Sequence, residues 1–362
     1  MLAYNKTQLD NQEIIAATEK AYKQGYISAE ERNNITEAHP VELYSPNVFM
    51  RVGIFVLTMI IAIFSMGLFG LMLLSGNASE GTFRGLLFFC GIISYAAAEL
   101  LIKGKHHYKS GADDALIYFS AICIFYGVLL GTHYENEIRT SALVITIISV
   151  YISLRFADMI ATAAAFGGLM WLLYSFIPNP WVIMIVSLGS YLLAVRLKYK
   201  YYASNALVLQ SLALLTLYAA GNYFVVRELT GRTLSIFWVS TVLIPLIYLF
   251  LGVYKKDRTL LRIGLLLIAA MVFTIRYYHS IAPLEVAMTF AGAGMIAIAY
   301  VLLRYLKTPR HGFTSEEDDE EQTGALQLES LIIAQTFHKS AESDHVNFGG
   351  GTGGGGGASG DY

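Results

Sequence analysis

Ten apolar stretches follow one another between Phe49 and Leu303, each close to the ~20 residues that a helix needs to cross a hydrocarbon core. They run over 51–74, 84–102, 112–131, 139–154, 158–177, 181–197, 203–221, 234–254, 259–276 and 283–303. Backbone polar groups in lipid must be satisfied within the segment or by a closed barrel, and these runs do not alternate polar and apolar residues as barrel strands do. The sequence therefore predicts an all-α fold, a polytopic transmembrane bundle of about ten helices. Composition agrees: 55% of the 362 residues are hydrophobic and 14% charged, where a soluble globule carries about 25% charged residues.

Three regions follow. Residues 1–48 are polar and lack the basic start and short apolar core of a signal peptide. They read as a small cytoplasmic helical hairpin: Leu9, Ile14, Ile15, Ala17, Ala21 and Tyr22 are helically spaced, Gly25 stops the first helix, and Ser28 with Glu31 forms a capping box for the second. A hairpin this small needs support, so it is expected to dock on the membrane domain or on a partner. Residues 49–303 form the transmembrane domain. Residues 304–362 hold six consecutive acids, Glu316 to Glu321, and end in a segment in which nine of fourteen residues from Gly349 are glycine. Such a tail buries too little to offset its ordering entropy and is expected to be disordered.

Loop charge sets the expected orientation. The loops after spans two, four, six and eight, with their margins, carry eleven Lys and Arg, from Lys103, Lys105 and Lys109 to Lys255, Lys256, Arg258 and Arg262. The alternate loops carry five: Arg84, Arg139, Arg227, Arg232 and Arg276. The basic side faces the cytoplasm, which places both termini there. Residues from Ala112 align with those from Ala203, each preceded by a Ser-Tyr pair and a basic hinge. Spans 84–177 and 181–276 thus read either as a parallel internal repeat or as two similar hairpins of Ala, Leu, Ser and Tyr.

Ionisable and amide groups at membrane depth are the first candidates for function. Glu99 lies one turn inside the end of span two, Asp113 and Asp114 open span three, and Gln210 sits in the middle third of span seven. These four are the candidate polar lining of a pathway or pocket. The plainer reading of Asp113 and Asp114 is that acids favour helix N-termini, and that of Gln210 is an interhelical hydrogen bond. Pro245 is a candidate helix kink in span eight, and Arg276 with Glu285, flanking one short outer loop, is a candidate ion pair. Cys90 and Cys123 lie in apolar runs, far apart, and His106-His107 has no further ligand at useful spacing, so neither a disulfide framework nor a metal is expected. No P-loop, nucleotide fingerprint, Gly-x-Ser-x-Gly elbow or His-Glu-x-x-His occurs, so neither an enzyme nor a cofactor is expected. Many of the basic residues sit in short loops and acids gather in the tail, and nucleic-acid binding has no support.

Ile27-Ser28-Ala29-Glu30-Glu31, the Gly111-Ala112-Asp113-Asp114-Ala115 entrance to span three, and the stretch from Pro283-Leu284-Glu285 through Arg304-Tyr305-Leu306-Lys307 to Gly312-Phe313-Thr314 carry a resemblance. In them the chain resembles the bacterial membrane proteins grouped as domain of unknown function 2157. Its Gly-rich ending is similar to tails of Bacteroidetes membrane proteins. The resemblance implies a bacterial inner-membrane protein with a small cytoplasmic helical domain before many spans, and brings no catalytic residues. Two functions remain open: a transporter or pocket for a small or lipidic substrate, and a non-catalytic scaffold or regulator. The second would recruit cytoplasmic partners through residues 1–48 or the acidic tail.

Overall fold

The computed structural model describes residues 2–278 apart from 75–78, 133–136, 197–199 and 232–233, together with isolated helical residues between Val286 and Arg304. Every element among the described residues is helical, apart from a single bridge between Tyr44 and His107. Two polar helices come first, α1 (Lys6–Lys23) and α2 (Ala29–Ala38). Asn5 caps α1 by accepting from the Thr7 amide. Ser28 and Glu31 form the reciprocal capping box of α2 that their spacing predicts, and Gly25 takes φ 76° in the turn between them.

Membrane-type helices follow: α3 (Val48–Leu74), α4 (Glu80–Lys105), α5 (Ala112–Leu129), α6 (Glu137–Phe156), α7 (Met159–Phe176), α8 (Pro180–Arg196), α9 (Ala203–Gly221), then a short α10 (Tyr223–Thr230), α11 (Ile236–Lys255) and α12 (Arg258–Tyr278). Eight are long and apolar enough to cross a membrane, and α8 is a shorter apolar helix. The chain is an integral membrane protein with an all-α bundle. Nine of the ten expected spans are thus present as helices. The tenth, 283–303, lies outside the described residues except for scattered helical positions, as do Glu285 and the tail beyond Arg304. The helices overrun the apolar runs at several ends because caps such as Ser79 on α4 extend them into polar sequence.

The helices pair as hairpins, α4 with α5, α6 with α7, α8 with α9 and α11 with α12. Two of the hairpin turns share a backbone form. Ala157 and Lys256 both adopt left-handed φ, 49° and 55°, and each is followed by an aspartate that caps the next helix. Asp158 accepts from the Ala161 amide at 2.6 Å, and Asp257 from the amides of Thr259 and Leu260. These turns stand at corresponding places in the two aligned segments.

Two differences from the sequence reading have physical reasons. Residues 223–230, read as loop, form α10, capped by Asn222 and ended by left-handed Gly231; Tyr223 stacks on Trp238 and Phe224 packs against Tyr277. Cys90 and Cys123 are both free, but pack in one buried cluster between α4 and α5. Sequence separation says nothing about neighbours across a hairpin. Pro245, the candidate kink, is buried inside α11, within its range Ile236–Lys255. Gly127 and Gly131 allow close contact between α4 and α5: a Cβ on Gly127 would press the Phe88 ring at 3.2 Å, and one on Gly131 would overlap the Arg84 guanidinium.

Candidate functional site

The N-terminal 45 residues form an arm that lies across one end of the bundle. Tyr44 bridges the α4–α5 loop, donating from its amide to His106 O (3.0 Å) and accepting from the Tyr108 amide (3.1 Å). The Ala3 amide donates to Arg155 O at the end of α6 (2.8 Å). From α1, Asp10 accepts from Lys200 Nζ (2.8 Å) and the Tyr201 hydroxyl (3.0 Å), in the turn before α9. Because one arm reaches all three turns, those turns share one end of the molecule. Within the arm, Asn11 donates to Pro40 O and the Glu42 amide to Gln8 Oε1, which folds the segment after α2 back along α1.

Tyr4 is the arm's anchor. It is 5% exposed and belongs to the core cluster of Ala98, Ile102, Ile117, Ile152, Phe156 and Ala161. Its hydroxyl stands 3.5 Å from Asp113 Oδ2. Burial, with Asp113 and Asp114 behind it, pushes the phenol well above its ordinary pKa, so the hydroxyl stays protonated as a donor.

The α4–α5 loop is built on unusual backbone. His106, Lys109 and Gly111 have φ of 54°, 47° and 93°. A Cβ at Gly111 would overlap the carbonyl oxygen of Arg51, so only glycine allows α3 to approach here. Asp113, 0% exposed, ties the loop down: its Oδ1 accepts from the Ser110 amide (2.9 Å) and hydroxyl (3.0 Å), and Ser110 in turn meets His107 Nδ1 at 2.7 Å. Asp114 accepts from Arg51 Nε (3.0 Å) and Nη2 (2.7 Å), which joins α3 to α5.

Two spaces open in this region. A void of about 10 Å³, the size of a single water, is lined by Lys109, Asp114, Tyr118 and Asp158 with Ile117, Ile152 and Phe156. A larger cavity of about 400 Å³ lies between the arm and the bundle; Leu2, Tyr4, Leu9 and Glu13 face Tyr108, Lys109, Lys200, Tyr201 and Asn205 across it. Lys109 stands on the wall of both. Burial pushes its ammonium below the ordinary lysine range, aided by Arg51 and opposed by Asp158, Asp114 and Asp113. Asn205, 6% exposed, donates to Thr162 Oγ1 (2.7 Å), Asp158 O (3.1 Å) and Ser153 Oγ (3.3 Å), and locks the start of α9 to the α6–α7 turn.

The sequence candidates separate. Asp113 and Asp114 stand beside the cavity, one engaged by Ser110 and Tyr4 and the other by Arg51. Glu99 belongs to another cluster, accepting from Arg155 Nη2 (2.8 Å), Lys103 Nζ (2.9 Å) and the Tyr95 hydroxyl (2.8 Å). Gln210 is half-buried in α9 and lines neither space. Arg276 has its Nε and Nη1 buried without a hydrogen-bond partner among the described residues, and its expected partner Glu285 lies outside them. No group of three potential metal ligands occurs among the described residues.

Sequence reasoning passed over Lys109, Tyr4, Lys200 and Asn205. Lys109 and Lys200 were read only as topogenic charge, and Tyr4 carries no local signal at all. Asn205 had one: in the aligned segments it stands where Asp114 stands. Compared with known protein families, curated proteins and solved structures, the chain matches none, so its function is argued from this chemistry alone.

Proposed function

We propose that this is a multi-pass protein of a bacterial inner membrane whose bundle holds, at its cytoplasmic end, a pocket for a small or lipidic substrate. It works by binding or passage rather than by catalysis. The observation that carries this reading is the cavity of about 400 Å³ between arm and bundle, within the usual size of ligand sites and lined in about equal parts by polar and apolar groups. The eleven-to-five loop-charge asymmetry supports a cytoplasmic position for that end and for both termini. Asp113 and Asp114 support the pocket from behind by fixing the loop that presents Lys109.

The test is single-cysteine labelling from each side of the membrane, with Cys90 and Cys123 replaced. Ser204→Cys, on the cavity wall, should react with a membrane-impermeant thiol reagent in inside-out vesicles and stay silent in right-side-out ones. Ile185→Cys, 70% exposed on the lipid-facing surface of α8, should stay silent in both. Silence at position 204 from both sides would remove the pocket. A second reading, a scaffold or regulator that recruits partners through the arm and acidic tail, is favoured by α2, none of whose residues is buried. Deleting residues 29–38 would then abolish function while changes at the cavity wall leave it intact.

A further inference from the structure

The ends of α4 and α6 carry two cations on one carboxylate. Glu99 accepts from Arg155 Nε (3.0 Å) and Nη2 (2.8 Å), from Lys103 Nζ (2.9 Å) and from the Tyr95 hydroxyl (2.8 Å). It brings one negative charge however many donors surround it, while Arg155 and Lys103 bring two positive ones. Asp158, three positions after Arg155, turns instead to the Ala161 amide and to the void beside Lys109 and Asp114. The cluster therefore carries one positive charge in excess. Among the described residues Lys103 has Glu99 as its one carboxylate within ion-pair distance, and its side chain is 63% exposed, which leaves the ammonium open to a further anion.

Where the excess stands decides what can meet it. Lys103 and Arg155 lie in the last turns of α4 and α6, at the depth where membrane helices give way to polar sequence. Both helices pack on α5 but not on each other along their length; the cluster and the Tyr95–Tyr151 hydroxyl pair bridge them. That leaves a groove over α5, open to the bilayer. Ile92 stands seven positions before Glu99 and Ile148 seven before Arg155, so two turns further into the membrane the same two faces are apolar. Ile92 is 63% exposed, and Ile148 packs inward with Tyr95 and Ala121 against the core. A cationic end above an apolar stripe matches an amphiphile with an anionic head, and basic pockets between membrane helices are where such heads bind. We propose that this groove holds an anionic phospholipid, its phosphate on Lys103 beside Arg155 and an acyl chain along Ile92 and Ile148. A zwitterionic lipid brings an ammonium of its own, which the excess charge repels. The site shares no residue with the cavity under the arm, so the inference goes beyond the pocket reading and does not depend on it.

The experiment is native mass spectrometry of the purified full chain in mild detergent, with phosphatidylglycerol and phosphatidylcholine of equal chain length added together. Retention of phosphatidylglycerol over phosphatidylcholine by about fivefold is expected, the weight of one basic residue against an anionic lipid. Lys103→Gln should remove most of that preference and Lys103→Arg should keep it. Lys255→Gln, at an exposed position in the last turn of α11, should leave it unchanged. Ile92→Trp leaves the charges alone and fills the stripe, and should lower bound phosphatidylglycerol by a similar factor; Ile185→Trp, on the exposed surface of α8, should not. Equal retention of the two lipids, no effect of Lys103→Gln, or the same loss in Lys255→Gln overturns the proposal. Displacement of phosphatidylglycerol by inorganic phosphate would assign the site to a free ion and overturn it as well.

Discussion

At the scale of single residues, the α4–α5 loop depends on one atom that is missing. Gly111 combines a positive φ with a backbone neighbour, Arg51 O, where a methyl group would have to sit. Gly111→Ala therefore carries both conformational strain and a backbone overlap that no side-chain rotation relieves, and should cost more than about 3 kcal/mol. Thermal melting in detergent measures it. Glu99 behaves differently. Its side chain is 14% exposed and that of Arg155 23%, so removing the Glu99 charge takes a close, half-buried ion-pair partner from Arg155. Glu99→Gln should destabilise by about 2 kcal/mol, while the paired change Glu99→Leu with Arg155→Met should recover most of that loss. Equal losses in the single and paired variants would show that the cluster does more than balance charge. Glu99 stands out in the sequence by its depth in an apolar run. Its partner was not legible there, because 56 positions separate Glu99 from Arg155 and they meet only where the end of α6 comes up to the end of α4.

At the scale of elements, the arm is held by one buried anchor and several exposed polar contacts. The anchor is Tyr4; the exposed contacts centre on Asp10, whose carboxyl is held below its ordinary value of 3.8 by hydrogen bonds from Lys200 and Tyr201. A depressed carboxyl contributes to docking at every pH above its free value and loses that contribution as pH falls through its docked value. Amide exchange of α1 should therefore be flat from pH 7 to about 5, after correction for intrinsic rates, and should rise below about 3.8. Asp10→Asn should remove the acid-dependent part, and a pH dependence that survives it would place the control elsewhere. The helices themselves were legible from hydropathy, and the α2 capping box from its four residues, because both signals are local. α10 was not: eight residues with Arg227 and Glu228 gain their helix from Asn222, Gly231 and an aromatic cluster contributed by α11 and α12.

At the scale of the molecule, the arm reports on topology. It meets the turns after α4, α6 and α8 at one end, the ends that carry the excess of lysine and arginine in the sequence. The fold class and the parity of the spans could thus be read from length and charge. The cavity could not, because it forms only where residues from the first ten positions meet residues near 109 and near 200. Phase and propensity give no access to such a meeting. Crosslinking tests that meeting most directly. With Cys90 and Cys123 replaced, Asp10→Cys together with Lys200→Cys should close into an intramolecular crosslink under a short thiol-to-thiol reagent, in native membranes and at high yield. Either change alone should give none. Failure of the pair to crosslink while both thiols remain reactive would mean that the arm does not cap the bundle, and that the pocket it walls does not exist.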